Sequence, residues 1–125
     1  MKYEYSGFLK PPALLLPLQI SGKGFHKSVQ AMAILDTGAD KTVITFRIVR
    51  ELGLSPRGYD FVRVPTRTDS EVVLSFYVSI RIPPDFVIDA DVIALPHDLV
   101  IIGRDILNQL VLHADGPKKI FELNQ

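Results

Sequence analysis

One short stretch of the chain combines residue types able to do chemistry: residues 34–45, ILDTGADKTVIT. Here Asp36, Thr37 and Gly38 interrupt two apolar runs. A carboxylate on a turn can act as a general acid or base. The neighbouring hydroxyl can hydrogen-bond backbone and lock the turn. The glycine permits backbone conformations and close approaches that a side chain would block. Asp and Gly are also ordinary turn residues, so the triplet alone would be explained by a plain hairpin. Other chemistries find less support. The chain has no cysteine, hence no thiolate nucleophile, disulfide framework or thiolate metal site. It has no G-x-S-x-G elbow. His26, His97 and His113 lie far apart and show no metal-ligand spacing. Asp89 and Asp91 alternate with apolar residues, which reads as the wet face of a strand. Gly22, Lys23 and Gly24 lack the spacing of a phosphate loop.

The elements that must position Asp36 read as short strands. LLLPLQI carries Pro17, which removes a ladder donor, so an edge strand or extended arm is expected there. The residues ahead of it look loosely held. A Gly-rich turn leads into SVQAMAIL, a second strand. After the D-T-G turn, KTVIT is β-branched and reads as a strand. FRIVRELGL changes period: Phe46, Val49 and Leu52 share helical spacing, Gly53 suits the position after a helix, and Pro56 blocks continuation. FVRVPT and EVVLSFYVSIRI then flank a polar tip, the pattern of a long hairpin. FVIDADVIAL and LVIIG are further strands. RDILNQL suits one or two helical turns, and VLHAD and KIFEL form a last hairpin around Gly116 and Pro117. Many short strands without β–α alternation predict an all-β domain closed into a small barrel.

Composition narrows the class. A length of 125 residues suits one domain, and 47% hydrophobic residues suffice for a core. Lys plus Arg and Asp plus Glu are both 14, so there is no electrostatic footprint for nucleic acid or an anionic membrane. The N-terminus lacks the basic start and apolar stretch of a signal peptide. The apolar run at residues 13–16 is far too short to span a bilayer. A soluble cytoplasmic protein is expected, with no nucleic-acid or membrane partner.

A second motif lifts the D-T-G triplet above coincidence: VIIGRDIL, in which two aliphatic residues directly precede Gly103. AILDTGADKTVIT together with VIIGRDIL resembles the retropepsins, the single-lobe aspartic proteases of retroviruses and their cellular relatives. Asp36 to Asp40 match the retroviral form D-T-G-A-D, and Ile101 to Asp105 match I-I-G-R-[ND]. The resemblance covers nearly the whole chain. It implies a retropepsin-like domain over residues 13–125 behind an N-terminal extension, 1–12, and an aspartic endopeptidase without cofactor or metal.

The resemblance makes Asp36, Thr37 and Gly38 the catalytic turn. Only one D-[ST]-G occurs in the chain, so the second carboxylate must come from another copy. That implies a homodimer in which Thr37 also grips its counterpart across the two-fold axis. Substrate would meet Gly38, Ala39, Asp40 and Ile102, with Ile34, Val43 and Ile44 nearby. A flap tip would add Thr66, Arg67, Thr68, Asp69 and Ser70, with mobility expected over residues 66–71. Gly103, Arg104 and Asp105 would brace the site, with an intrachain Asp40–Arg104 ion pair. Two features depart from the retroviral pattern. The tip TRTDSE has no glycine, and the chain runs 20 residues beyond Asp105. The added C-terminal hairpin is closer to cellular relatives such as the domain of ubiquitin-shuttle proteins, and it is a candidate dimer contact. The competing readings are a catalytically inactive retropepsin-like module that dimerises or binds peptide, and an unrelated barrel with a chance D-T-G.

Overall fold

The computed structural model describes residues 1–22, 24, 27–63 and 70–125. Seven strands form one sheet in the order β2 (Leu15–Gly22), β3 (Ser28–Leu35), β8 (Val100–Ile102), β4 (Val43–Thr45), β7 (Phe86–Leu95), β6 (Ser70–Ile82) and β5 (Gly58–Arg63). A further antiparallel pairing of β2 with β6 closes the first six into a barrel, as expected. Among the described residues strand β5 pairs with β6 alone, outside the barrel, with Tyr59 opposite Leu74 and Phe61 opposite Val72. The expected tip residues Thr66, Arg67, Thr68 and Asp69 lie outside the described residues, as does His26. Ser70 and Glu71 belong to β6, opposite Arg63 and Val62.

The barrel closes because its strands bury alternate residues. Along β6, Phe76, Val78, Ile80 and Ile82 are buried, and the residues between them are not. Strand β2 contributes Leu16, Leu18 and Ile20 to the same core. At about 1.5–3 kcal/mol for each large apolar side chain removed from water, this alternation outweighs any local preference. It also corrects the reading of β2 as an edge strand. From Gln19 onward β2 has a neighbour on each side, β3 and β6. Pro17 faces Met32 in the half that pairs only with β3, where its missing donor breaks no second ladder. Asp89 and Asp91 lie exposed on β7, as their alternation predicts.

Helix α1 (Phe46–Leu52) starts where Thr45 accepts a hydrogen bond from the Ile48 amide at 3.2 Å. It stops at Gly53, whose φ of 62° is left-handed. Its buried residues are Ile48 and Leu52, four apart. Phe46 stays 45% exposed, so the buried stripe is rotated from the Phe46–Val49–Leu52 face read from spacing. Helix α2 (Arg104–Leu107) is a single turn. Strands β9 (Val111–Asp115) and β10 (Ile120–Asn124) form the C-terminal hairpin. The N-terminus is not loosely held. Strand β1 (Lys2–Glu4) pairs with β10, and the Tyr3 ring stacks on buried Phe121 at 5.0 Å. The result is a three-stranded sheet, β1–β10–β9. Among the described residues no helix is long and apolar enough to cross a membrane.

Candidate active site

Strand β3 ends at Leu35, and Asp36 extends its parallel pairing with β8 by one bond. The Asp36 amide donates to the Ile102 carbonyl at 3.0 Å. The chain then turns, with the Ala39 amide donating to the Asp36 carbonyl at 3.2 Å. The Gly38 amide donates to Oδ1 of Asp36 at 2.8 Å. The carboxylate is therefore aimed by backbone rather than by a flexible side chain. A β-carbon on Gly38 would lie 3.1 Å from that same oxygen. Its φ is not positive, so the glycine answers to the carboxylate's position and not to a left-handed turn. Asp36 is half-buried, and Thr37 and Gly38 are exposed. A carboxyl group half-exposed on a turn held by backbone hydrogen bonds is open to a reactant or to another chain.

A second loop holds the first from below. Gly103 follows β8, and a β-carbon there would sit 2.7 Å from the Lys41 carbonyl carbon and 2.9 Å from the Ala39 oxygen. Only hydrogen fits where the two backbones cross. The Arg104 amide donates to the Ala39 carbonyl at 2.8 Å. Thr42, fully buried, links the loops through its hydroxyl, which accepts from the Gly103 amide at 3.1 Å and donates to Oδ1 of Asp105 at 2.8 Å. The other Asp105 oxygen accepts from the Thr42 amide at 3.1 Å, and Oδ1 also accepts from the Ile106 amide. Sequence reading missed Thr42. The signal available was a threonine placed just before a β-branched run, but its partner lies 63 residues away.

Arg104 braces the site differently from the expectation. The ion pair with Asp40 does not form. Nη1 of Arg104 donates instead to the Thr37 carbonyl at 2.7 Å. Asp40 is exposed and makes no ion pair among the described residues. The guanidinium reaches the carbonyl at the centre of the turn, which leaves Asp40 on the rim. Thr37 acts through that carbonyl, and its hydroxyl makes no hydrogen bond among the described residues. Ile102 and Ile44 also differ from expectation. Both side chains are fully buried in the core, because they sit on the inward face of their strands. Ile102 meets Asp36 through its carbonyl, and Ile101, on the opposite face of β8, is half-buried.

Beside the turn lies a cavity of about 340 Å³ that begins at Ala39 and Asp40 and runs under β5. Val43, Val62 and Ile93 make it apolar, and Lys41, Asp60 and Arg63 add charge. Lys41 and Asp60 join in an ion pair that ties β5 to the Asp36 loop. The hydrogen bond from Lys41, and then that from the Phe61 amide, hold the Asp60 carboxyl below the usual carboxylate range. A larger apolar groove, about 600 Å³, lies beside Leu9, Leu15 and Met32 and touches none of residues 36–38. Of these two, the smaller cavity is the one beside the Asp36 loop.

No protein-family model matches the chain, and no curated protein matches it in sequence. Solved structures do match in shape. A retropepsin-like aspartic protease from Rickettsia conorii superposes with a TM-score of 0.70 over 99% of this chain and 89% of that one, at 16% identity. The fold is retropepsin-like. EIAV protease, in complex with the inhibitor HBY-793, gives 0.59 over 78% of this chain and 86% of that one, at 23% identity. Simian foamy virus (mac) protease gives 0.53 over 74% and 92%, at 17% identity. At these identities the likeness is one of fold. The retropepsin-like fold accounts for the closed barrel and the two short helices.

Proposed function

We propose that the protein is an aspartic endopeptidase that works as a homodimer, with Asp36 of each copy at the two-fold axis. The observation that carries this reading is the half-exposed Asp36 carboxylate, held by the Gly38 amide on a turn locked from below by Gly103, Thr42 and Asp105. Two carboxylates in contact cannot both ionise, so such a pair retains one proton. The ionised member takes a proton from water as the water oxygen bonds to the scissile carbonyl carbon. The protonated member gives its proton to the carbonyl oxygen. The tetrahedral diol then collapses: the C–N bond breaks, the leaving nitrogen takes the proton that the first carboxylate had gained, and the second carboxylate takes a proton back from a diol hydroxyl as the new carbonyl forms, so the pair again holds one proton. The protons belong to the pair and not to either residue. The cavity bounded by Ala39, Val43 and Val62 would receive a substrate side chain.

A pure scaffold would not need a carboxylate pressed on a carboxylate, which disfavours the inactive dimerisation or peptide-binding module. The deciding experiment mixes subunits. Purified wild type should cleave a denatured protein between about pH 4 and 6.5, and Asp36→Asn should be inactive yet folded. When wild type exchanges subunits with an excess of Asp36→Asn, mixed dimers hold one carboxylate and activity should fall well below that of the same wild-type dose alone. Activity that tracks the wild-type dose linearly, with exchange demonstrated, would sink the shared site. Absence of cleavage by a demonstrated wild-type dimer would favour the inactive module.

A further inference from the structure

The cavity beside the Asp36 loop has a polar wall whose two charges cancel. Its floor is aliphatic: Val43 of β4 and Ile93 of β7 are register partners, and both are buried. Side chains alternate along β5, so Asp60 and Val62 are half-buried on its inner face while Phe61 and Arg63 are exposed. Lys41 enters from the Asp36 loop, where the close approach of Gly103 fixes its backbone. Its ammonium pairs with Oδ2 of Asp60. Oδ1 of Asp60 accepts from the Phe61 amide at 2.8 Å. Both carboxylate oxygens are thus occupied, and the half-buried Lys41 has its charge balanced by a residue of its own chain. Asp40 and Arg63, of opposite sign, are exposed at the rim.

We infer that Asp60 sets specificity by occupying Lys41: with the pair intact, the cavity takes uncharged side chains of a peptide substrate and turns away acidic ones. This rests on the protease reading above, in which the cavity receives a substrate side chain. A free ammonium above an aliphatic floor would draw in a glutamate carboxylate, because charge-assisted hydrogen bonds are strong where water is partly excluded. With Asp60 in place, that carboxylate meets a cation already engaged and a like charge beside it. An uncharged side chain forgoes no ion pair and gains burial against Val43, Val62 and Ile93. The Lys41 hydrogen bond, and then that of the Phe61 amide, hold the Asp60 carboxyl below the usual carboxylate range. The pair therefore persists at the mildly acidic pH of the proposed reaction.

The test reads selectivity rather than rate. Peptides that differ only in glutamine, its isostere glutamate, or lysine are varied in turn at each position flanking the scissile bond. They are cleaved at about pH 6, where glutamate is ionised. Asp60→Asn keeps the shape of the wall and frees the ammonium. It should raise the ratio of kcat/KM for glutamate over glutamine roughly ten-fold or more at one position, the gain expected of one hydrogen bond between charged groups. A merely structural Asp60 would lower both peptides alike. Lys41→Met should act with the opposite sign at the same position and raise the ratio for lysine over glutamine, because Asp60 is left uncompensated. If wild type cleaves and either variant leaves its ratio unchanged at every position, Asp60 does not set specificity and the protease reading stands. If wild type cleaves none of the peptides, the same series with a reduced, uncleavable bond is titrated against wild type and both variants. The same shifts in Kd then keep the role of Asp60 while the protease reading falls. Unchanged Kd ratios, or no binding, overturn both. Should Asp60→Asn misfold, Lys41→Met decides alone.

Discussion

At Gly103 the crossing of two backbones leaves no space for a methyl group, and the atoms in the way belong to the main chain of Lys41 and Ala39. Gly103→Ala should therefore cost about 3 kcal/mol or more in urea unfolding, since neither neighbour can rotate aside. Gly38 differs in kind. Its near neighbour is a single carboxylate oxygen of Asp36 at 3.1 Å. Gly38→Ala should change stability by less than about 1 kcal/mol and still lower peptide cleavage, because the carboxylate must shift. Equal stability losses for the two variants would contradict this distinction. Thr42 is the third residue whose role is set by contact. Thr42→Val keeps the shape but leaves the Gly103 amide without its acceptor and Asp105 without one donor. A loss of about 1–3 kcal/mol is expected in the same assay, the usual cost of a buried group left unpaired.

Each element carries a local device that can be tested by itself. The start of α1 depends on the Thr45 hydroxyl, and Thr45 is buried. Thr45→Ala should destabilise the fold by about 1 kcal/mol, the common cost of a lost N-cap. Strand β5 depends on the Lys41–Asp60 pair for its tie to the Asp36 loop. The folded Asp60 carboxyl lies below its ordinary range, chiefly through the Lys41 hydrogen bond. A depressed acid contributes stability that is present above its unfolded value and lost as pH falls through its folded value. The tie should hold across neutral and mildly acidic pH and weaken only in stronger acid. Unfolding free energies of wild type and Asp60→Asn, measured against pH, should differ most at neutral pH and converge in acid. The difference should be small, because both side chains are more than a third exposed or close to it, at 39% and 34%. A gap that widens toward acid would contradict the sign.

For the whole molecule, the proposed dimer ties activity to concentration. One chain holds one D-T-G, so specific activity should fall as the protein is diluted below its dissociation constant. Sedimentation should show dimer giving way to monomer over the same range. Asp36→Asn removes like-charge repulsion at the axis, so its dimer should dissociate at equal or lower concentration than wild type. Specific activity that stays constant while sedimentation shows monomer would place the whole site within one chain.

Residues and elements set by near neighbours were legible without coordinates. The alternation of Phe76, Val78 and Ile80 identified β6. Gly53 and Pro56 ended α1, and Gly116 with Pro117 placed the last hairpin. Each of these depends on a period or a turn confined to a few consecutive residues. The two loops were singled out differently, by the resemblance of D-T-G-A-D and I-I-G-R-D to the retropepsin motifs. The contacts between distant segments were not legible. Arg104 takes the Thr37 carbonyl instead of Asp40, Thr42 locks onto Asp105, and β1 docks on β10 under Tyr3 and Phe121. β2 finds its second neighbour in β6. All four are decided by closure of the barrel and docking of the terminal sheet, which bring residues 36–42 against 102–105 and one end of the chain against the other. Local residue types allow several partners for such groups, and only packed geometry selects one.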